Sequence, residues 1–586
     1  MDAFNDYYEK IISTTEIIKQ PIQDTFKLPI QYNKHKTLDN SLLEDIELCG
    51  NNNKYNCILN NKENFNLLID DYSKYYSTSK SFLKDTQKLC NNFNIEDFDC
   101  SECEVENTRC KGMYEEFLQE TSFDDKYQYL TFNMLRKFNK NPLVLQCLGY
   151  YNLSTPVLSL ATPIFILIIP YFVLRFKGIR ITMRTYVSMM KTILFRSSIF
   201  RGLMNFSNGT SSEKISFIVS LIFYGFQIYN NVISCISFYN NLNNMYSFIQ
   251  SYKKYLKYTL NNMNEIQKNI VTLKSYHIFN TDIESNKVVL KKMLNKVNCV
   301  FEFDNLLSKL TQMGVLLKIN YELFYDVEHL TSFYYSIKLN QYVHDLKKIN
   351  NLIKNKKLNK RSFVDKKIMK GMYYMPHIND DKYTTNDIDI KKNIVVTGPN
   401  ASGKTTLIKS ILINLIISQQ WGYGCFEKCK MSIYDNFHSY LNIPDTSNRD
   451  SLFQAEARRC KDIIEKIHSV NNKREKERNF CIFDEIYSGT NPIDATLCAT
   501  AYLKAMNTLK KSCDYVLTTH YTELCKNIND EEFTVNKKMN TIINKNEDGK
   551  TTYEYTYKLI DGISKINGGK QILIDLDYPQ YVLDFV

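Results

Sequence analysis

The sequence predicts an α/β domain in the C-terminal third of the 586-residue chain, a parallel sheet flanked by helices, joined to a largely helical remainder. Three stretches carry the prediction. "NIVVT" (393–397) reads as a buried strand, the glycine loop "GPNASGKT" (398–405) follows it, and "TTLIKSILINLIISQ" reads as a helix. "FCIFDEIYSGT" (480–490) is an apolar strand ending in two carboxylates, and "CDYVLTTH" (513–520) is another, ending in His520. Strands of this kind separated by helical stretches are the pattern of parallel strands with crossover helices.

The bulk numbers place these elements in an ordinary folded protein. Hydrophobic residues are 44% and charged residues 23%, with 18 Gly and 11 Pro, which excludes a collagen-like or disordered chain. The length allows about three or four domains of roughly 150 residues each. A net charge of +11 suits an anionic partner such as nucleic acid or a phospholipid surface, but a pI near 8.7 lies below that of a dedicated nucleic-acid-binding domain. The start, "MDAFNDYYEKIISTTEIIKQ", is too polar for the apolar core of a signal peptide, so the 16 scattered Cys are expected as reduced thiols.

Residues 1–150 form a polar N-terminal region, expected to be mainly helical, that contains Cys90, Cys100, Cys103 and Cys110. "CSEC" supplies one CxxC pair without a second at matching spacing, so Cys100 and Cys103 are metal candidates beside the alternative of plain thiols. Residues 151–241 hold two uncharged stretches, Pro156 to Leu174 and Ile215 to Asn241. The first is as long as a bilayer-crossing helix of about 20 residues. Between them lie Arg175, Lys177, Arg180, Arg184, Lys191, Arg196, Arg201 and Lys214, opposed by Glu213. Three readings stay open: a membrane hairpin, a monotopic insertion beside anionic lipid, and a buried helix pair. The hairpin puts the basic loop on the far side of the membrane from the C-terminal α/β domain, and with that domain in the cytosol this runs against the positive-inside bias. Pro156, Pro163 and Pro170 disfavour a simple straight helix.

Residues 242–379 read as long lever or clamp helices, with apolar positions at three- and four-residue steps in "MYSFIQSYKKYLKYTL" and "FEFDNLLSKLTQMGVLLKI". Within them 345–370 carries ten Lys or Arg against two Asp, a phosphate-binding face or a solvated helix and linker.

The chemistry concentrates in 380–586. Gly398, Pro399, Asn400, Ala401, Ser402 and Gly403, followed by Lys404, Thr405 and Thr406, fit the P-loop pattern G-x-x-x-x-G-K-[ST] between a strand and a helix. There, loop N–H groups cradle the phosphates of ATP, Lys404 neutralises phosphate oxygens and the Thr405 hydroxyl ligates Mg²⁺. Asp484 is placed to hold Mg²⁺ through water, and Glu485 to orient or deprotonate the attacking water. His520, at the end of the next strand, fits a sensor of the γ-phosphate.

These residues carry a resemblance. "TNDIDIKKNIVVTGPNASGKTTLIKSI", with Asn386 and Asp387 before the loop, resembles the MutS mismatch-repair ATPase family. "GYGCFEKCKMSIYDNFHSYL" is similar to the segment after its P-loop helix, and "DSLFQAEARRCKDII", with Ser451, Phe453 and Glu456, to its signature region. "DEIYSGTNPID", "TTHYTEL" and the tail "YTYKLIDGISKINGGKQILIDLDYPQYVL" resemble its Walker B and D-loop, its His motif and its final strand, turn and helix. The resemblance implies a P-loop NTPase fold of the ABC/MutS type, Mg²⁺-dependent ATP hydrolysis, and paired subunits, the chain with itself or a paralogue. In such a pair Ser451 approaches the γ-phosphate bound by the partner. It further implies DNA as partner and a cytosolic face, or an equivalent nuclear or viral-factory compartment. Three departures are visible. Tyr487 and Ser488 stand where the family has Gly-Arg, no Phe-x-Glu mismatch-reading wedge is evident in 1–150, and the apolar stretches occupy ground where repair members have soluble segments. The sequence looks closer to MutS-like chains that carry membrane-type segments and no mismatch-reading domain.

Overall fold

The computed structural model describes residues 25–50, 52–59, 66–93, 109–110, 112–117, 123–196, 210–300, 306–441, 451–471, 477–529, 532–545 and 551–566, with scattered residues of 573–585. Cys100 and Cys103 lie outside them. Among the described residues no group of His, Cys, Asp and Glu is placed to hold a metal, and Cys90 and Cys110 are buried free thiols. By contact the chain divides into two units. The first takes 99–261 and 286–335, the second 26–98, 262–285 and 336–586, so the expected region 1–150 is shared between them.

The helices of the first unit are α1 (Pro142–Phe176), α2 (Met183–Arg196), α3 (Ser211–Ile270), α4 (His277–Asn298), α5 (Leu306–Tyr325) and α6 (Val327–Lys354), of which α3, α4 and α6 also contribute residues to the second unit. Asn141 caps α1 by accepting from Leu143 N–H, with Pro142 at the first helical position. α1 and α5 approach closely where Gly314 stands, since a Cβ there would lie 2.1 Å from the Pro142 carbonyl oxygen. An aromatic cluster of Tyr114, Phe117, Phe123, Phe248, Phe324 and Phe333 fills this unit's core, with Tyr114 and Phe333 centroids 4.2 Å apart. His329 is buried beside it, 2.9 Å from the Tyr252 hydroxyl, and burial pushes its pKa down to about 3.

Pro156, Pro163 and Pro170, which the sequence sets against a simple straight helix, all lie within the single helix α1. Each proline leaves the carbonyl four residues earlier without its amide donor. Two of those carbonyls find others. Asn152 O accepts from the Thr155 hydroxyl at 2.8 Å, and Ser159 O accepts from the Tyr224 hydroxyl of α3 at 3.0 Å. Within this chain the two stretches of 156–241 are not covered by the described residues: Phe165, Ile169 and Phe172 of α1 and Ile222, Phe223 and Phe226 of α3 are all exposed. Among the described residues one helix, Lys214–Ile270, is long and apolar enough to cross a membrane.

The second unit holds the sheets. Strands β1 (His35–Thr37) and β2 (Tyr75–Ser77) form an antiparallel pair. β3 (Asn359–Ser362), β4 (Ile368–Met372), β5 (Asn386–Asp389), β7 (Tyr423–Gly424) and β8 (Lys428–Lys430) form a mixed sheet ordered β5-β4-β8-β3-β7. The main sheet runs β13-β12-β6-β11-β10-β9, from β6 (Asn393–Thr397), β9 (Asn436–Tyr440), β10 (Asn479–Asp484), β11 (Cys513–Thr519), β12 (Thr534–Lys545) and β13 (Thr551–Asp561). All its pairings are parallel except β12 with β13. Its central strands are buried along nearly their whole length, which is why they read as unbroken apolar runs.

Helix α7 (Lys404–Ser418) is buried from Leu407 to Ser418. α8 (Leu452–Asn471) and α9 (Pro492–Thr508) pack Cys460, Ile463 and Ile467, and Ala495, Ala499, Leu503 and Met506, against Phe483, Tyr515 and Leu517 of the sheet. Spacings of three and four put each set on one helical face. A short helix α10 (Thr522–Asn527) follows β11.

Residues 26–93 pack into this same unit by backbone recognition. Ser77 N–H donates to Gln419 O at 2.8 Å, and the Gln87 amide donates to Gly422 O at 2.7 Å and Arg361 O at 2.8 Å. Gly422 has φ +78°, and a Cβ there would meet Gln87 Cγ at 2.2 Å, so the position requires glycine. The basic stretch 345–370 is no single helical face. It runs through the end of α6 into β3 and β4, with Arg361 fully buried and donating to the Ser418 hydroxyl, and Lys367 paired with Asp514 at 2.7 Å.

Candidate functional site

Strand register assembles the site. Thr397 of β6 lies opposite Thr519 of β11, and Thr518 lies opposite Asp484 of β10. The glycine loop, the Asp484–Glu485 pair and His520 therefore emerge at the carboxyl ends of three adjacent parallel strands, where open α/β sheets place their ligands.

The loop is shaped by local backbone demands. Gly403 has φ +89° and Ala401 φ +61°, and a Cβ on Gly398 would come within 2.7 Å of the Ser402 hydroxyl. The Ser402 hydroxyl donates to Pro399 O at 2.7 Å and holds the loop closed. Lys404 is 6% exposed, and its ammonium lies 3.1 Å from Gly398 O, 3.2 Å from Pro399 O, 3.1 Å from His520 Nε2 and 3.6 Å from Glu485 Oε1. Burial lowers its pKa, against the opposing pull of Glu485 and Asp484.

The Thr405 hydroxyl donates to Asp484 Oδ2 at 2.7 Å, and Asp484 Oδ1 accepts from the Thr518 hydroxyl. One hydroxyl and one carboxylate thus meet beside the loop, an oxygen pair of the kind Mg²⁺ takes. Glu485 accepts from or pairs with His520 at 2.9 Å, and this contact, aided by Lys404, holds its carboxyl below the usual range although burial opposes it. Glu485 and Tyr487 have φ +53° and +60°. Left-handed backbone at such residues costs of order 1–3 kcal/mol and is kept where the surroundings over-determine it. For Tyr487 those surroundings are the rings of Phe453 at 5.8 Å and Tyr502 at 6.4 Å.

A cavity of about 640 Å³ opens over the loop, lined by Asn400 to Leu407, Glu485, Asn386 and Met539 together with Tyr373, Tyr383, His377 and Tyr557. These last four were not singled out from sequence. Tyr373 and Tyr383 stack at 4.3 Å, a contact that no local motif encodes. Asn386 bridges to β13, donating to Tyr557 O at 3.1 Å and accepting from Leu559 N–H at 2.7 Å, while Asp387 accepts from Gly371 N–H at 2.8 Å.

Ser451 is exposed and lines no cavity beside the loop. It begins α8 in a capping box, its hydroxyl accepting from Gln454 N–H at 3.4 Å and its N–H donating to Gln454 Oε1 at 3.0 Å. Glu456, one turn on and 2% exposed, accepts from Ser488 N–H at 3.1 Å, the Ser488 hydroxyl at 2.9 Å and Gly489 N–H at 3.1 Å. It joins α8 to the segment that carries Glu485.

Residues 394–585 match the family model of MutS domain V. This C-terminal region belongs to the MutS family. It is 32% identical over 161 residues to the DNA mismatch repair protein MSH3 of Lodderomyces elongisporus, covering 26% of this chain and 15% of that protein. It is 29% identical over 192 residues to the endonuclease MutS2 of Ligilactobacillus salivarius, covering 32% and 22%. It is also 29% identical over 150 residues to the DNA mismatch repair protein MutS of Petrotoga mobilis, covering 25% and 17%. The match to these MutS relatives thus spans about a fifth of their length and is confined to one domain.

Proposed function

We propose that the chain is a Mg²⁺-dependent ATPase of the P-loop, ABC/MutS type, in which ATP-driven pairing of two nucleotide domains moves the long helices, with DNA as the partner. One observation carries the reading: Lys404, the Thr405–Asp484 pair and the Glu485–His520 pair converge at the carboxyl ends of β6, β10 and β11. Loop N–H groups at the start of α7 receive the phosphates, favoured by the helix N-terminus. Thr405 and Asp484 would hold Mg²⁺, which when bound neutralises phosphate charge. Phosphate oxygens compete with Glu485 for Lys404 and so release Glu485 to accept a proton from water, while His520 keeps that carboxylate oriented. Ser451, outside its own chain's site, is free to complete that of a second copy or a paralogue.

The relatives' names supply mismatch repair as the context. The test measures ATP hydrolysis and particle mass with and without ATP, then titrates homoduplex and mismatched DNA at two salt concentrations. ATP-dependent doubling of mass and tighter mismatch binding are expected. A salt-steep response equal on both DNAs restricts the contact to phosphates, and no response to DNA removes it as partner. A membrane-associated ATPase without mismatch recognition is the second reading, favoured by the exposed apolar flanks of α1 and α3.

A further inference from the structure

We infer that α1 and α3 form a two-helix hairpin that crosses a lipid bilayer between Val157–Leu174 of α1 and Ile215–Phe226 of α3, with the basic turn in the opposite headgroup layer. The Tyr224–Ser159 bond, and Cys235 Sγ donating to Leu153 O at 3.5 Å, set the two helices antiparallel. That register brings Arg175 and Lys177 to the same end as Lys214, and "NLSTP" (152–156) to the same level as Gln227, Asn230 and Asn231. Between these polar borders no charged residue occurs on α1, and none on α3 after Lys214. At 1.5 Å per residue the uncharged span Val157–Leu174 of α1 is about 27 Å long, close to the ~30 Å of a hydrocarbon core, and Ile215–Phe226 of α3 is about 18 Å, continued without charge to Asn241.

Exposure identifies the medium. Ile164 is 57% exposed, Ile169 54%, Phe172 52%, Ile222 63%, Phe223 68% and Phe226 60%. At about 100° per residue, the exposed apolar positions spread over roughly 200° or more of each helix, whereas a helix docked on one protein partner needs an apolar stripe of about 100°. What covers these helices surrounds them. The basic turn by itself would favour the cytosolic leaflet, but a hairpin lying in the membrane plane leaves one flank of each helix in water, which so wide an apolar face does not suit.

The two borders match two headgroup layers. Tyr150, Tyr151 and Tyr229 are exposed at the polar border, as in an aromatic belt. At the other, exposed Arg175, Lys177, Arg180 and Arg184 complement anionic lipid, and their long stems can follow the apolar zone outwards. The backbone agrees independently. In water a carbonyl freed by proline finds a solvent donor, but in hydrocarbon it must be satisfied from within, and the carbonyl of Ser159, inside the uncharged zone, is satisfied by the Tyr224 hydroxyl of α3.

The test uses the full chain in its host membranes. Resistance to alkaline carbonate is expected, and in sealed vesicles whose nucleotide domain trypsin digests, Arg180 and Arg184 should stay uncut until detergent is added. The double variant Ile168→Arg, Ile222→Arg, at exposed positions away from the core, should float with anionic phosphatidylserine vesicles at least tenfold less while still binding ATP. Release by carbonate, cleavage at Arg180 in sealed vesicles, or a detergent-free soluble oligomer in which a second copy covers the helices would each overturn the crossing.

Discussion

Around the glycine loop Lys404 is 6% exposed and lies within reach of two carbonyls, an imidazole and a carboxylate, whereas along α3 Phe223 is 68% exposed with its ring turned outwards. Both regions place groups where their isolated chemistry disfavours them, a buried cation in one and exposed rings in the other. The compensation differs. The C-terminal domain surrounds its charge with partners drawn from the ends of three strands, whereas the apolar flanks of α1 and α3 are uncovered by the described residues. A buried polar constellation of the first kind is local and directional, so single atoms matter. An apolar flank of the second kind is collective, so single residues matter little and the freed carbonyls matter more.

That contrast can be broken in four places. Glu485→Gln should have the largest effect, a fall in steady-state phosphate release of about 10²–10⁴-fold with ATP binding retained and the paired state accumulating by size-exclusion chromatography. Unchanged turnover would take Glu485 out of the chemistry. Glu456→Ala comes next, because it leaves the Ser488 and Gly489 donors without their acceptor. A loss of about 1–3 kcal/mol is expected in denaturant unfolding of the nucleotide domain, and Glu456→Gln should recover part of it.

In the hairpin, Tyr224→Phe should cost about 1 kcal/mol by deleting the donor to Ser159 O. Combined with Pro163→Ala, which restores that carbonyl's amide donor, the cost should shrink, and an equal cost in both backgrounds would separate the proline from the hydroxyl. The smallest effect is pH-dependent. Glu485 is held below the usual carboxylate range by His520, so its contribution is present above the unfolded value of 4.5 and is lost as pH falls through the lower folded value. His520→Ala should move the acid limb of ATP hydrolysis to higher pH, and an unmoved limb would mean that the His520 contact does not set it.

The sequence made the site legible because its chemistry is written in short contiguous runs. GPNASGKT, the DE pair and His520 each sit at the end of an apolar strand, and parallel pairing of those strands suffices to bring Lys404, Glu485 and His520 together. Glu456 was visible as part of a motif, but its three donors were not, since two are backbone amides that any residue would supply. The positive φ of Tyr487 had no signal either, because a tyrosine does not advertise left-handed backbone, and it is held by the packing of Phe453 and Tyr502 and by its N–H donating to the Tyr440 hydroxyl at 3.3 Å. The same applies to the aromatic wall of the cavity, where Tyr373 and Tyr557 meet the loop from distant parts of the chain.

The prolines of α1 mark the division between the two kinds of information. Sequence alone determined that this chain carries a glycine loop closing on Lys404 and Thr405, two carboxylates and a histidine, each at the end of an apolar run, and two uncharged stretches flanking basic residues, because these are properties of neighbours along the chain. Tertiary structure decided that Pro163 stays inside a helix, that residues 26–93 share a unit with the C-terminal domain, and that the described residues leave the apolar flanks uncovered. Each depends on a partner distant in sequence, a tyrosine hydroxyl or a glutamine amide, or on the lack of one among the described residues, and a hydrogen bond or a contact is satisfied in space rather than along the chain.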